Sequence, residues 1–169
     1  MKFTELKCIS ENVNLDEYLW LYSYVRDNME HKEWLGTFTR EEIEDVLSAG
    51  GKIFMYYDGT TPVCSMFYMP VKNKTLTKHN VEHDESIVGS LGPIMVSKDY
   101  VGNGFQREMM KVLDEYAKSI GKEYIYTKAQ SENIYSINNM LKNGYEIVHE
   151  YESERGMATA LIKKIILIY

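Results

Sequence analysis

SLGPIMVSKDYVGNGFQREMMKVLDEYAKSIG, residues 90–121, is the stretch on which the reading of this chain turns. An apolar run, Ile94-Met95-Val96, stops at a polar loop that tightens into Val101-Gly102-Asn103-Gly104. A long amphipathic pattern starts at once, so the stretch reads as strand, glycine turn and helix N-terminus. Such a turn presents backbone N–H groups outward, with the positive end of the helix dipole behind them. That is a seat for a phosphate or pyrophosphate. Glycine suits it because a side chain would hold the phosphate off the backbone and takes positive φ only at a cost. The stretch therefore points to a phosphorylated cofactor.

Two familiar phosphate loops fail on spacing. The dinucleotide fingerprint G-x-G-x-x-G needs a small residue where Arg107 stands. A P-loop needs G-x-x-x-x-G-K-[ST], a string absent from the chain. Asp99-Tyr100-Val101-Gly102-Asn103-Gly104 instead resembles Q/R-x-x-G-x-G/A, the pyrophosphate loop of the GCN5-related N-acetyltransferase (GNAT) superfamily. Asp99 departs from that pattern, and Val101 stands where arginine often precedes the first glycine. A plain strand-to-helix turn would also use glycines here.

A second motif lies about thirty residues on. SENIYSINNMLKNGYEI, residues 131–147, resembles the GNAT pattern N-x-x-[AS]-x-x-x-[Y]-x-K-x-G-[FY] through Asn133, Ser136, Lys142, Gly144 and Tyr145. Its physics also stands alone. Asn133 is a good N-cap after the strand-like Tyr124-Ile125-Tyr126-Thr127. Ile134, Ile137 and Leu141 recur at helical spacing, and Gly144 fits the left-handed residue that ends a helix. The resemblance is strong over residues 88–150 and elsewhere rests on general layout.

The chain of 169 residues is long enough for one domain with a full core, expected over 1–169. Hydrophobic residues make up 44% and charged residues 26%, which excludes a disordered chain. No apolar run reaches the ~18 residues of a membrane span, and MKFTELKCISENVN lacks a signal-peptide core. Cys8 and Cys64 make neither a disulfide framework nor a metal site. His31, His79 and His149 show no metal-ligand spacing, so no metal is expected. A cytoplasmic location, without membrane association, is the default. The net charge of −6 argues against a nucleic-acid surface. Lys72, Lys74 and Lys78 read as part of a solvated loop.

Alternation at Lys2 to Ile9 reads as a first strand, and helical spacing of Leu15, Tyr18, Leu19 and Tyr22 as a helix to Met29 started by Asn14 or Asp16. Thr39 and Glu42 form a capping box for a helix from Arg40 to Ala49. Lys52–Tyr57 and Pro62–Met69 read as a hairpin. Pro70–Asp84 reads as a polar loop and Ser86–Val96 as a strand, interrupted or bulged at Gly92-Pro93 because proline cannot give a ladder bond. Tyr145–Tyr151 and Met157–Ile168 form a last hairpin across Ser153-Glu154-Arg155-Gly156. This order, β α α β β β α β α β β, is similar to that of the GNAT fold. It implies an α/β (α+β) domain with a mixed, mostly antiparallel sheet of six to seven strands, about four helices and a bulged fourth strand.

The resemblance further implies acetyl-CoA, or another acyl-CoA, as cofactor. Its pyrophosphate would rest on the N–H groups of Val101, Gly102, Asn103, Gly104, Phe105 and Gln106, with Arg107 adding charge or simply facing solvent. Its pantetheine arm would pair with the backbone of Ile94, Met95 and Val96, and Asn133 and Ser136 lie where the second motif touches that arm. The implied reaction is direct attack by an amine of a small molecule or peptide on the thioester. A backbone N–H near Met95 is a candidate donor to the oxyanion. The tyrosine that often protonates the leaving thiolate falls at Met140, so Ser136, Tyr135 or water would serve. No carboxylate lies within Val88–Val96; Glu82, His83, Asp84 and Glu85 precede it and read as solvated loop residues, with action through water as the alternative. Tyr22, Arg26, Glu30, Trp34 and Phe38 are equally plausible acceptor lining or core. A non-catalytic acyl-CoA-binding sensor or structural module is the rival reading, and monomer and homodimer both remain open.

Overall fold

The computed structural model describes residues 5–10 and 14–167. In chain order these form β1 (Glu5–Ile9), α1 (Leu15–Asp27), α2 (Arg40–Ser48), β2 (Lys52–Asp58), β3 (Thr61–Pro70) and α3 (Asn73–Lys78). There follow β4 (Val88–Val96), α4 (Phe105–Ser119), β5 (Tyr124–Gln130), α5 (Ile134–Lys142), β6 (Glu146–Ser153) and β7 (Gly156–Lys164). The strands join in the order β1-β2-β3-β4-β5-β7-β6. The sheet is mostly antiparallel, and β4 with β5 is its parallel pair, in register from Val88↔Tyr124 to Ser90↔Tyr126. The expected α/β class and mixed sheet are thus observed, with seven strands and five helices among the described residues.

The chain groups into two compact units, Met1–Pro70 with Leu91–Lys111, and Val71–Ser90 with Val112–Tyr169. In the first unit, α1 buries Leu15, Tyr18, Leu21 and Tyr22. They pack with Ile43 of α2 and with Ile53, Met55, Tyr57 and Phe67 of the β2–β3 hairpin. The Tyr18 ring meets Phe67 edge-on at 5.9 Å, and the Tyr22 hydroxyl donates to the Gly36 carbonyl. Leu21, absent from the expected stripe, widens it to the broad apolar face a core-facing helix needs. The capping box at α2 forms as expected: Thr39 Oγ1 accepts from Glu42 N–H at 3.1 Å, and Glu42 Oε2 accepts from Thr39 N–H at 2.8 Å. Asn14 precedes α1 in a left-handed conformation, and its amide donates to Glu17 rather than capping.

β4 runs from Val88 to Val96 through Gly92-Pro93. A Cβ at Gly92 would meet Met69 Sδ at 2.5 Å and the Phe67 carbonyl oxygen at 3.0 Å. Only glycine lets β4 approach β3 so closely at this point.

In the second unit, Leu76, Val81, Val88, Tyr126 and Ala160 form the core. Here the polar loop expected from Pro70 to Asp84 contains a helix, α3. Six residues are too few to display a period. What holds them is tertiary: Leu76 is 1% exposed, and Asn73 and Glu85 exchange backbone-to-side-chain bonds at 2.7 and 2.8 Å. β7 ends at Lys164, and Ile165 N–H instead donates to the Glu123 carbonyl at 2.8 Å. The expected strand at Lys2–Thr4 and the terminal Ile168 and Tyr169 lie outside the described residues.

On the α4 side of β7, Lys163 Nζ donates to Asp114 Oδ2 at 2.8 Å and lies 4.9 Å from the centre of the Tyr145 ring. Both charges are largely covered, with side chains 7% and 16% exposed. Burial raises the Asp114 pKa above the ordinary carboxylate value, against the lowering pull of Lys163. Removing one partner strands the other charge. Asp114→Ala is therefore expected to cost about 3–5 kcal/mol in urea unfolding. The double variant Asp114→Leu/Lys163→Met is expected to recover most of that loss. Equal losses in the single and double variants would show that the pair is not what stabilises this packing.

Candidate active site

β4 ends with Met95 buried and Ile94 and Val96 half-buried. Ser97 N–H then donates to the Val63 carbonyl of β3 at 2.8 Å, and a 3-10 turn, Lys98–Tyr100, leads the chain away. Every part of this turn is tied to the first unit. Tyr100 donates to Asp58 Oδ2 at 2.5 Å, Tyr24 donates to Asp99 Oδ2 at 3.3 Å, and Lys98 donates to Asn28 Oδ1 at 3.1 Å. Asp99, the residue that departs from the family pattern, thus has a hydroxyl partner of its own.

The loop closes on Phe105, which is 3% exposed and sits edge-on to Tyr100 at 6.0 Å and to Tyr56 at 6.1 Å. Asn103 Nδ2 donates back to the Tyr100 carbonyl at 3.0 Å. Gly102 and Gly104 both take left-handed φ, +85° and +77°, and nothing lies within 4 Å of a Cβ built on either. The left-handed backbone and the open space together form a cradle at the start of α4, where Glu108 N–H donates to Gly104 O. Val101 is 66% exposed beside it, and Arg107 is exposed on the first turn. The open glycines and the helix start are the kind of geometry that suits a pyrophosphate.

In the second unit, Asn133 caps α5 as expected: its Oδ1 accepts from Ser136 N–H at 3.2 Å. Ser136 is half-buried, and Gly144 takes φ +91° at the helix end. Met140 is 4% exposed, a core residue with no exchangeable proton. Tyr135 is 83% exposed. Of the candidate site residues, Ile94, Met95, Val96 and Val101–Arg107 belong to the first unit, and Asn133 and Ser136 to the second.

The acidic run before β4 is largely engaged. Asp84 accepts from Ser86 N–H at 2.9 Å and from Asn73 at 3.0 Å. The Ser86 bonds, then Asn73, hold its carboxyl below the ordinary range. Glu85 holds Asn73 N–H, and His83 stacks on Tyr124 at 3.8 Å. Of the acceptor-lining candidates, Tyr22 and Phe38 belong to the first core, and Trp34 stacks on His31 at 4.3 Å. Sequence reasoning missed a cluster around His79, Tyr126, His149 and Tyr151, because its first member follows a helix read as loop. Among the described residues no group of three His, Cys, Asp or Glu could hold a metal, and no helix is long and apolar enough to cross a membrane.

Residues 11–145 match the acetyltransferase (GNAT) family. The uncharacterized N-acetyltransferase YobR of Bacillus subtilis (strain 168) is 26% identical over 90 residues, 53% of this chain and 36% of that protein. The match thus spans little more than a third of that relative's length. An N-acetyltransferase from Staphylococcus aureus Mu50 has the same fold, with a TM-score of 0.73 at 19% identity over 96% of this chain and 98% of that one. N-acetylglutamate synthase from Neisseria gonorrhoeae, solved with coenzyme A and N-acetyl-glutamate, aligns with a TM-score of 0.70 at 11% identity. That alignment covers 98% of this chain and 36% of the other.

The two cysteines differ sharply. Cys8 is exposed, whereas burial pushes the Cys64 thiol up to about 12. Only the thiolate reacts readily. A disulfide-exchange reagent at pH 8 is expected to titrate one thiol in the native protein and two after denaturation. Two fast equivalents in the native state would mean that β3 opens at Cys64.

Proposed function

Because this chain belongs to the acetyltransferase (GNAT) family, we propose that it is an acetyl-CoA-dependent N-acetyltransferase acting on an amine of a small molecule or peptide. The observation that carries the cofactor assignment is the open left-handed cradle at Gly102-Asn103-Gly104, set at the head of the fifteen-residue helix α4. The coenzyme A named in the N-acetylglutamate synthase structure supports the same assignment by analogy of fold. When bound, acetyl-CoA supplies an acetyl group activated as a thioester.

The chain's own residues then have separable tasks. The backbone from Val101 to Gln106 holds the pyrophosphate, and Arg107 adds positive charge. Extended backbone at Ile94, Met95 and Val96 pairs with the amide arm; Met95 contributes main chain alone, since its side chain is 1% exposed. By resemblance, Asn133 and Ser136 belong to the motif that touches the arm. The acceptor amine must arrive neutral to have a lone pair to give. A free thiol ionises near pH 8.5, so the leaving group needs little proton donation near neutral pH. Such chemistry tolerates methionine where the family often has tyrosine.

Titration calorimetry with acetyl-CoA tests the seat, with adenosine and NAD as controls. Gly104→Glu puts a carboxylate into the cradle at a backbone angle that L side chains rarely adopt. It is expected to weaken acetyl-CoA binding about 10- to 100-fold, equivalent to losing one or two charge-assisted hydrogen bonds. Undiminished binding in the variant would place the cofactor elsewhere. An amine screen for thiol release then tests turnover.

A second reading, a non-catalytic acyl-CoA sensor, is favoured by Met140 and by the lack of any carboxylate along β4. Tight acetyl-CoA binding without thiol release across the amine panel would decide for it. If the first reading holds, Met140→Leu should leave kcat within about threefold, far short of the ~10²–10⁴ that a lost general acid costs. A larger fall that is not matched by instability would assign Met140 a role beyond packing.

A further inference from the structure

The chain between β4 and α4 alternates between anchored and open residues. Ser97 and Tyr100 are bonded to the β2–β3 hairpin, and Phe105 is 3% exposed. Between these anchors Val101, Gly102, Asn103 and Gly104 are all exposed. Nothing lies within 4 Å of a Cβ built on either glycine, so neighbouring atoms do not choose the path there. Each glycine also has a wider range of backbone conformations to visit than any other residue. An ordered cradle therefore needs its two anchors held in a fixed relation.

One residue supplies that relation. The half-buried Tyr100 ring meets Phe105 edge-on at 6.0 Å, joining the last residue before the exposed stretch to the first residue after it. Its hydroxyl donates to Asp58 Oδ2 at 2.5 Å, where β2 ends. Its carbonyl accepts from Asn103 Nδ2 at 3.0 Å, and the same amide lies 3.4 Å from the Val101 carbonyl. Ring, hydroxyl and carbonyl are thus each engaged, and each fixes a different part of the loop.

The bond to Asp58 is the strongest of the ties in this turn. It is charge-assisted, and its length is that of a hydroxyl on a carboxylate. Tyr24 reaches Asp99 at a longer 3.3 Å, and Lys98 donates to the neutral amide of Asn28 at 3.1 Å. Those two hold the turn to α1 and stand further from the glycines along the chain. The hydrogen bond to Asp58 also holds the Tyr100 pKa above its ordinary value, so the phenol remains a donor at neutral pH.

We propose that Tyr100 and Asp58 are positioning residues for the cofactor seat, their hydrogen bond holding Gly102-Asn103-Gly104 in the left-handed path that receives the ligand. The inference rests on the acetyl-CoA reading for the identity of that ligand, whereas the ordering of the loop is independent of it.

Tyr100→Phe keeps the ring and its contact with Phe105 and removes the hydroxyl alone, and Asp58→Ala removes the acceptor. Both variants, their double and the wild type are compared as whole chains, with circular dichroism to confirm folding. Amide nitrogen relaxation on the ligand-free proteins reads the order of the loop. The heteronuclear NOE of Gly102, Asn103 and Gly104 is expected to fall in every variant while that of β3 stays unchanged. By calorimetry, acetyl-CoA binding is expected to weaken about tenfold in each single variant, the loss of one charge-assisted hydrogen bond. The double should lose no more than either single, because both changes break the same bond. Loop order unchanged in the folded single variants, affinity unchanged against a wild type that binds, or losses that multiply in the double would each overturn the proposal. A wild type that does not bind acetyl-CoA would overturn the cofactor reading instead, and the relaxation data would still decide whether the bond orders the glycines.

Discussion

Two left-handed residues within three, Gly102 and Gly104, must be held between the end of a strand and the start of a helix, and the candidate site depends on that constraint. Glycine makes the conformation accessible but does not select it. Selection comes from both ends. Ser97 is pinned to β3 through Val63, and Phe105 is sealed against Tyr56 and Tyr100. Tyr100 is itself tied to Asp58 at the β2 end of the hairpin. With strand exit and helix entry both fixed, the intervening backbone has one short path, and its N–H groups are set out along it. Donors preorganised in this way lose little freedom on meeting an anion.

The second unit buries polar groups on both faces of its sheet. On the α4 side, Lys163 donates to Asp114 Oδ2 and the Tyr145 ring faces the ammonium, while Asp114 Oδ1 and the Tyr145 hydroxyl are buried without a partner. On the α3 side, His79 Nδ1 and the Tyr126 hydroxyl are likewise buried without a partner. Each such unmatched buried group is a net cost to folding.

Much of the architecture was legible because it follows from local rules. The capping box at Thr39 and Glu42, the Asn133 cap and the positive φ of Gly144 are fixed by residues three or four apart, and all appear as read. The hairpin of β2 and β3 follows from Asp58-Gly59 between two apolar runs. α3 was not legible, because nothing in Asn73–Lys78 is periodic. Its stability comes from one buried leucine and from Glu85, twelve residues away. The same gap hid the histidine cluster, since His79 and His149 lie seventy residues apart and meet only through α3 and the register of β6.

By itself the sequence determined which segments become helix and strand wherever capping, period and turn chemistry agree. It also determined that Gly102 and Gly104 can take the left-handed conformation of a tight turn, and that Met140 cannot give a proton. Those properties belong to single residues and their near neighbours. Only the tertiary structure decided that Asp99 has Tyr24 as a partner and that Asp84 and Glu85 are taken up by Asn73. It alone placed Lys128, Ala160 and His149 in one row across three strands. Partners of this kind are chosen by sheet register and helix packing, which join residues far apart in the chain and leave no periodic trace in it.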